Sequence, residues 1–205
     1  MPTAKKPAKK TATKAKAKAP VKPKAKAAPK KTEKSAAWKT IHSSDNDTWR
    51  TPKPLFDKLN REFVFELDAA ALKHTALLDS YYGPDHADVG RVDALAIEDW
   101  EGKNIFVNPP YGRKVGDWVR KGWEESLKGK TVVMLVMACT DTIWWHNWAW
   151  KADQIRLMKG RVPFRREDGS KAASAPKGSA ILVFRASRGG INPKFYSWVF
   201  DKYDD

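Results

Sequence analysis

The sequence predicts an α/β domain built on an open, mostly parallel sheet and preceded by a disordered basic tail. Three observations predict it. After Trp49, short apolar runs of strand length alternate with segments of helical periodicity, the pattern of a sheet covered by helices. One of those runs, Thr131–Met137 (TVVMLVM), is apolar almost throughout, as in a parallel strand covered on both faces. Residues 1–34, by contrast, hold no aromatic residue, no Leu or Ile and a single Val, too little apolar surface to offset their ordering entropy. The length of 205 residues suits one α/β domain plus a tail. We place a Lys/Ala/Pro-rich tail at 1–37 and one folded domain at 38–205.

Taken in order, Thr51 and Pro52 signal a helix start, with Leu55, Phe56 and Leu59 on one face. Residues 63–68 form a short apolar strand that ends in Asp68, and Ala69, Ala70 and Ala71 follow in a tight turn. A looser stretch covers 73–98. A second strand, Asn104–Val107, runs into Asn108-Pro109-Pro110-Tyr111-Gly112. The spacing of Val119 and Trp123 predicts a helix over 115–127. Thr131–Met137 is the third strand, 142–150 a further helix, and 154–158 and 179–185 two late strands around a Gly- and Ser-containing loop at 167–178. A late strand pair of this kind fits one antiparallel edge. Ligands of such sheets bind beyond the carboxyl ends of the strands, which directs attention to Asp68 and Asn108.

Charge is unevenly placed. The chain carries a net +15, but residues 1–34 hold 13 Lys and one acid, a net +12, leaving only +3 for the rest. A polycation of this kind grips a phosphate backbone without reading sequence; a merely solubilising tail is the alternative. A single cysteine, Cys139, excludes an internal disulfide framework and fits a reducing, cytoplasmic setting. The four His residues show no metal-ligand spacing, so no metal is expected. No apolar run is long enough to span a bilayer, and no apolar segment follows the basic start as a secretory signal requires. Eight of ten Trp lie between Trp49 and Trp150; most are expected in the core.

The segment Asn108-Pro109-Pro110-Tyr111 carries the chemistry. An aromatic amine is a poor nucleophile because its lone pair is delocalised into the ring. A site that accepts hydrogen bonds from both amine N–H groups favours the more tetrahedral, positive nitrogen of an alkylating transition state. The Asn108 side-chain oxygen and the Pro109 carbonyl are the two candidate acceptors. Paired prolines stiffen the turn at little entropic cost on binding, and Tyr111 offers a flat face for a base. The competing reading of these four residues is a rigid turn and nothing more.

From Trp49 to Arg185 the chain resembles the phage-type DNA N6-adenine methyltransferase family. The resemblance rests, in family order, on Thr51-Pro52 with Leu55-Phe56, Leu67-Asp68-Ala69-Ala70-Ala71, Tyr81-Tyr82, Asp99-Trp100, Asn108 to Gly112, Thr140-Asp141-Thr142 with Trp144 to His146, and Gly160-Arg161-Val162-Pro163-Phe164. It implies a Rossmann-like methyltransferase fold, S-adenosylmethionine as cofactor and double-stranded DNA as substrate, with the target adenine flipped out of the stack. A viral source and the host cytoplasm are implied in the same way. By this resemblance Asn108, Pro109, Pro110 and Tyr111 are catalytic, and Thr51, Pro52, Asp68, Ala69 and Asp99 hold the cofactor. Asp141 orients the base or caps the following helix, and Arg161, Arg165, Arg166 and Lys171 meet the DNA backbone. His146 is expected to be a packed side chain rather than an acid–base group. The chain departs from many methyltransferases in having Ala69-Ala70-Ala71-Leu72 where a glycine-rich loop would lie. N4-cytosine transfer, which uses the same tetrapeptide, and a non-catalytic DNA-binding domain are the alternatives.

Overall fold

The computed structural model describes residues 49–166, 170, 175, 177–185 and 193–199. The tail expected at 1–37 therefore lies outside the described residues, as do Lys171 and most of the 167–178 loop.

Helix α1 (Lys53–Phe63) turns Leu55, Phe56, Leu59 and Phe63 into the core. Pro52, with its fixed backbone angle, stands at the N-cap without a side-chain capping bond, so Thr51 is not the cap. The helix ends on Val64, a left-handed residue (φ 51°) whose amide reaches the Asn60 carbonyl. The Asn60 side-chain oxygen accepts from the Phe65 amide at 2.7 Å. This ending is why the strand expected over 63–68 shrinks to β1 (Leu67–Asp68): Phe63 is still helical.

The remaining elements are β2 (Asn104–Val107), α2 (Val115–Leu127), β3 (Thr131–Met137), the short α3 (Ile143–Asn147), β4 (Gln154–Met158), β5 (Ser179–Phe184) and β6 (Lys194–Trp198). Single 3₁₀ turns lie at Val89–Arg91 and Ala149–Lys151. The strands form one six-stranded sheet in the order β1-β2-β3-β5-β4-β6. β1, β2 and β3 pair in parallel, β5 runs antiparallel to both β3 and β4, and β6 is parallel to β4. The sheet is thus mostly parallel, as expected, but its antiparallel strand is interior rather than an edge. The physical reason is burial: all six residues of β5 (SAILVF) are covered, so the strand needs neighbours on both sides.

Alternation along the strands divides the core between the two sheet faces. Val132, Met134 and Val136 join Leu67, Ile105 and Val107 beneath Val119 of α2 and Trp145 of α3. Val133 and Leu135 join Phe106, Ile181 and Val183 beneath Leu55, Phe56 and Leu59 of α1. This period-two division fixes register, because a one-residue slip would exchange the two sets. Strand direction sets which loops meet at the carboxyl edge, among them those leaving β1, β2, β3 and β4, which all run the same way.

Candidate active site

Parallel pairing of β1 with β2 sets Asp68 opposite Phe106 and brings the ends of the two strands side by side. Beyond them lies a cavity of about 170 Å³, its mouth open to solvent. Thr51, Asp68, Asn108 and Pro110, all singled out in the sequence, line it. Pro52 and Pro109 are buried, and Pro52 begins α1. Ala69 is fully buried; its neighbours Ala70 and Ala71 face the cavity instead.

Asp68 is 3% exposed. Its carboxylate accepts only two long backbone bonds, from Leu77 at 3.2 Å and Ala70 at 3.5 Å. Burial pushes its pKa up to about 6, against the pull of those two amides. No helix follows it directly, so Asp68 is not a helix cap. Ala71 donates to the Tyr82 carbonyl at 3.0 Å and Tyr82 to the Asp68 carbonyl at 3.0 Å. Gly83 then lies so close that a Cβ there would sit 1.7 Å from the Ala71 carbonyl oxygen. Small residues thus do at 69–71 and 83 what a glycine-rich loop does elsewhere: they let two backbone segments close around a cavity.

At the other strand end, the Asn108 amide nitrogen donates to the Trp49 carbonyl at 2.5 Å. Its Oδ1 is buried with no hydrogen-bond partner among the described residues. Gly112 donates to the Pro110 carbonyl at 3.0 Å, closing a tight turn. Tyr111 is half-buried and outside the cavity lining. Its hydroxyl donates to the Leu135 carbonyl of β3 at 3.2 Å, and its ring meets Phe164 edge-on at 5.8 Å. Burial raises its pKa, so it stays a neutral phenol.

The segment 49–51 ties these parts together. Arg50 exchanges backbone hydrogen bonds with Arg165 at 2.9 and 3.3 Å, and Trp49 packs edge-on against Phe164 at 5.4 Å. Arg161, Arg165 and Arg166 are all exposed, which leaves their guanidinium groups accessible next to the cavity wall formed by Trp49, Arg50 and Thr51.

Asp99 is not brought to this cavity. It precedes β2 and so stands at the amino ends of the strands, where it pairs with Lys130 at 2.5 Å. Trp100 is 1% exposed and its indole nitrogen donates to the Ala94 carbonyl at 2.8 Å. The acid that does line the cavity from this region is Asp93, whose carboxylate accepts from the Leu95 amide at 3.0 Å. Asp141 is exposed and caps nothing; the N-cap of α3 is Thr142, whose hydroxyl donates to the Cys139 carbonyl at 2.7 Å. Trp145 is buried as expected, whereas His146 is exposed on a short helix rather than packed. Among the described residues no group of acids, His and Cys is placed to hold a metal, and no helix is long and apolar enough to cross a membrane.

Sequence reasoning missed much of the cavity wall: Tyr82, Gly83, Pro84, Val92, Asp93, Ala94 and Trp118. Most of these lie in the irregular stretch 73–98, where neither periodicity points inward. The pairing of Tyr81 with Asp68 as an isolated parallel bridge is what folds that stretch over the cavity.

Comparison with known proteins gives the family. The chain is 27% identical over 160 residues to the DNA N-6-adenine-methyltransferase of Haemophilus phage HP1 (strain HP1c1), covering 75% of this chain and 88% of that protein. The profile described as DNA N-6-adenine-methyltransferase (Dam) matches residues 39–198, well over half of the sequence and the whole of the sheet. The chain therefore belongs to the DNA N-6-adenine-methyltransferase (Dam) family and is an enzyme that methylates adenine in DNA.

Proposed function

We propose that the cavity between Asp68 and Asn108 holds S-adenosylmethionine in a Rossmann-like arrangement, and that Asn108 receives the amine of an adenine flipped out of double-stranded DNA. The observation that carries this reading is the state of the Asn108 amide. Its nitrogen is committed to Trp49, which leaves Oδ1 as the free atom, and that oxygen is buried and unpartnered among the described residues. A buried acceptor without a donor is unfavourable by about 1–3 kcal/mol, so the site is built for a donor that arrives with the substrate.

The residues present fit the cofactor. It carries an ammonium, ribose hydroxyls and a flat adenine. Asp68 is a buried carboxylate without a cationic partner among the described residues, suited to the ammonium or to a ribose hydroxyl. Asp93 replaces Asp99 as the acid placed to accept from the cofactor's adenine edge, and Thr51 and Arg50 line the same wall as Asn108. When bound, S-adenosylmethionine supplies an electrophilic methyl group on its sulfonium. Everything else falls to this chain. Asn108 Oδ1 and the Pro109 carbonyl accept the two amine hydrogens, stabilising the nitrogen as it turns tetrahedral and positive. Tyr111, fixed at both its hydroxyl and its ring edge, is a rigid face against which the base comes to rest. No strong general base is required, because the proton leaves after the methyl has transferred.

The exposed arginines at 161, 165 and 166, Lys171 and the polycationic residues 1–34 would contact DNA phosphates, and Asp141 would order the base pocket. The reduced Cys139 fits a cytoplasmic setting. The test is to titrate S-adenosylmethionine into the protein by calorimetry and to follow labelled methyl transfer into unmethylated DNA. Saturable binding with label recovered as N6-methyladenine is expected; N4-methylcytosine, or transfer without cofactor binding, would overturn the reading.

A further inference from the structure

At the carboxyl edge of the sheet, Ile143 stands 80% exposed as the first residue of α3. The residues after it turn inward: Trp145 is 1% exposed and Trp144 packs against the core. Trp144 also locates this helix. A Cβ on Gly116 would meet the Trp144 Cβ at 2.8 Å, so the first turn of α3 abuts the first turn of α2. Helix α2 follows the Asn108–Gly112 turn after only Arg113 and Lys114, both exposed. Ile143 is thus an uncovered branched side chain at the start of a helix that abuts the first turn of α2, which two exposed cations join to the Asn108–Gly112 turn.

Other strongly exposed aliphatics are placed differently. Val64 and Leu127 precede β1 and β3 at the amino ends of the strands, and Val89, although in the stretch that walls the cavity, stands between Asp88 and an Arg91 already paired with Asp88 and Glu101. Chemistry distinguishes Ile143 from them. Removing an adenine from a duplex leaves a gap lined by apolar base faces, and apolar side chains inserted at base steps stabilise such distortions. An uncovered branched aliphatic at this edge, with exposed cations leading into the abutting helix, has the character that gap requires.

We propose that Ile143 is the wedge that enters the duplex where the target adenine leaves it. This rests on the reading that the adenine is flipped into the site of Asn108. The wedge lowers the cost of holding the base outside the helix and touches neither the cofactor cavity nor the reacting nitrogen.

The test uses the full-length enzyme. Sequencing modified bases in DNA from cells expressing it locates the methylation site, and oligonucleotide duplexes are built with the target adenine opposite either thymine or an abasic position. Because unpairing a base costs a few kcal/mol and an unpaired one far less, Ile143→Ala is expected to lower kcat/KM on the paired duplex by about tenfold or more. On the abasic duplex the change should stay within about twofold, and Ile143→Met should keep most of the activity on both. With 2-aminopurine at the target position, the fluorescence rise on binding should shrink in Ile143→Ala while cofactor affinity holds. Equal losses on the two duplexes, or no loss on the paired one, would overturn the wedge. Absence of N6-methyladenine from wild-type cells would instead strike at the parent reading.

Discussion

The side-chain nitrogen of Asn108 donates to the main-chain oxygen of Trp49 across 59 positions of sequence, at 2.5 Å. That bond decides which end of the amide faces a substrate. It leaves the oxygen, which has no partner among the described residues, as the atom that the proposed site offers to an amine. Asn108→Ala is therefore expected to reduce turnover by about 10²-fold or more, the scale of losing one preorganised partner of a developing charge. Cofactor affinity and the thermal melt should change little. Single-turnover methylation beside calorimetric titration checks this; a parallel loss of cofactor binding would relocate Asn108 to the cofactor site.

In the proposed site, Asp68 would link cofactor binding to pH. Burial raises its folded pKa from 3.8 to about 6, so the folded state holds this proton more tightly than the unfolded chain. Its contribution to stability is full below about pH 3.8 and is lost as pH rises through about 6. Asp68→Asn should accordingly melt higher than the wild type at pH 8, while the two converge at low pH. A ligand that pairs with the carboxylate needs it ionised. Cofactor binding near pH 6 should then release about half a proton, and affinity should fall below that pH. Calorimetry in buffers of different ionisation enthalpy measures the proton count, and a value of zero would remove Asp68 from the contact.

Gly83 tests the closeness of the cavity wall. A methyl group there would sit 1.7 Å from the Ala71 carbonyl oxygen, so one backbone segment must move. Gly83→Ala should cost about 1–3 kcal/mol, the usual scale of overpacking, and weaken cofactor binding because both segments line the cavity. Gly178→Ala, whose Cβ meets nothing within 4 Å among the described residues, is the control and should stay within about 0.5 kcal/mol of wild type. Urea unfolding of both variants gives the comparison.

A buried ion cluster holds the opposite edge of the sheet. Glu125 of α2 is fully covered and binds Lys121 at 2.7 Å, Lys128 at 2.8 Å, Lys130 at 2.6 Å and the Trp100 amide at 2.9 Å. Burial alone would raise its pKa, but the three lysines and the amide override this and hold it near 2. The shift is downward, so the stability it confers is present above its unfolded value of 4.5 and is lost as pH falls from there toward 2. Glu125→Ala strands the buried ammonium of Lys121 and leaves Lys130 only the exposed Asp99 as an acidic partner among the described residues, and should cost about 3–5 kcal/mol. Urea midpoints at pH 7 and pH 3 test it: the gap between wild type and variant should narrow at pH 3.

The sheet and the two strand ends at the cavity are legible because their signals are contiguous. Asn104–Val107 and Thr131–Met137 were read with the boundaries they have, and the turn after Val107 announces itself in four residues. The cavity wall was not legible, because 73–98 is irregular and reaches the site through the bridge of Tyr81 to Asp68, which leaves no period in the sequence. Strand polarity explains the error at Asp99. A residue that precedes a parallel strand lies at its amino end, away from the ligands, and only the strand assignment reveals which end that is. β6 escaped because four of its five residues are exposed, so no buried face patterns them.

The uneven charge yields a prediction about binding rather than chemistry. Residues 1–34 hold a net +12 of the chain's +15. Each phosphate neutralised by such a segment releases condensed counterions, steepening the fall of affinity with salt. Deleting residues 1–34 should therefore weaken DNA binding at low salt and flatten the plot of log affinity against log salt. The arginines at 161, 165 and 166 remain in place, beside the wall that shares backbone bonds with Arg165. Turnover at saturating DNA should then change little, because Asn108, Asp68 and the cavity between them lie wholly within the folded residues. Fluorescence anisotropy across a salt series, paired with methylation at saturating DNA, separates the two effects. An unchanged slope would assign the lysines to something other than DNA, while a collapse of turnover would mean that they help to position the duplex over Asn108.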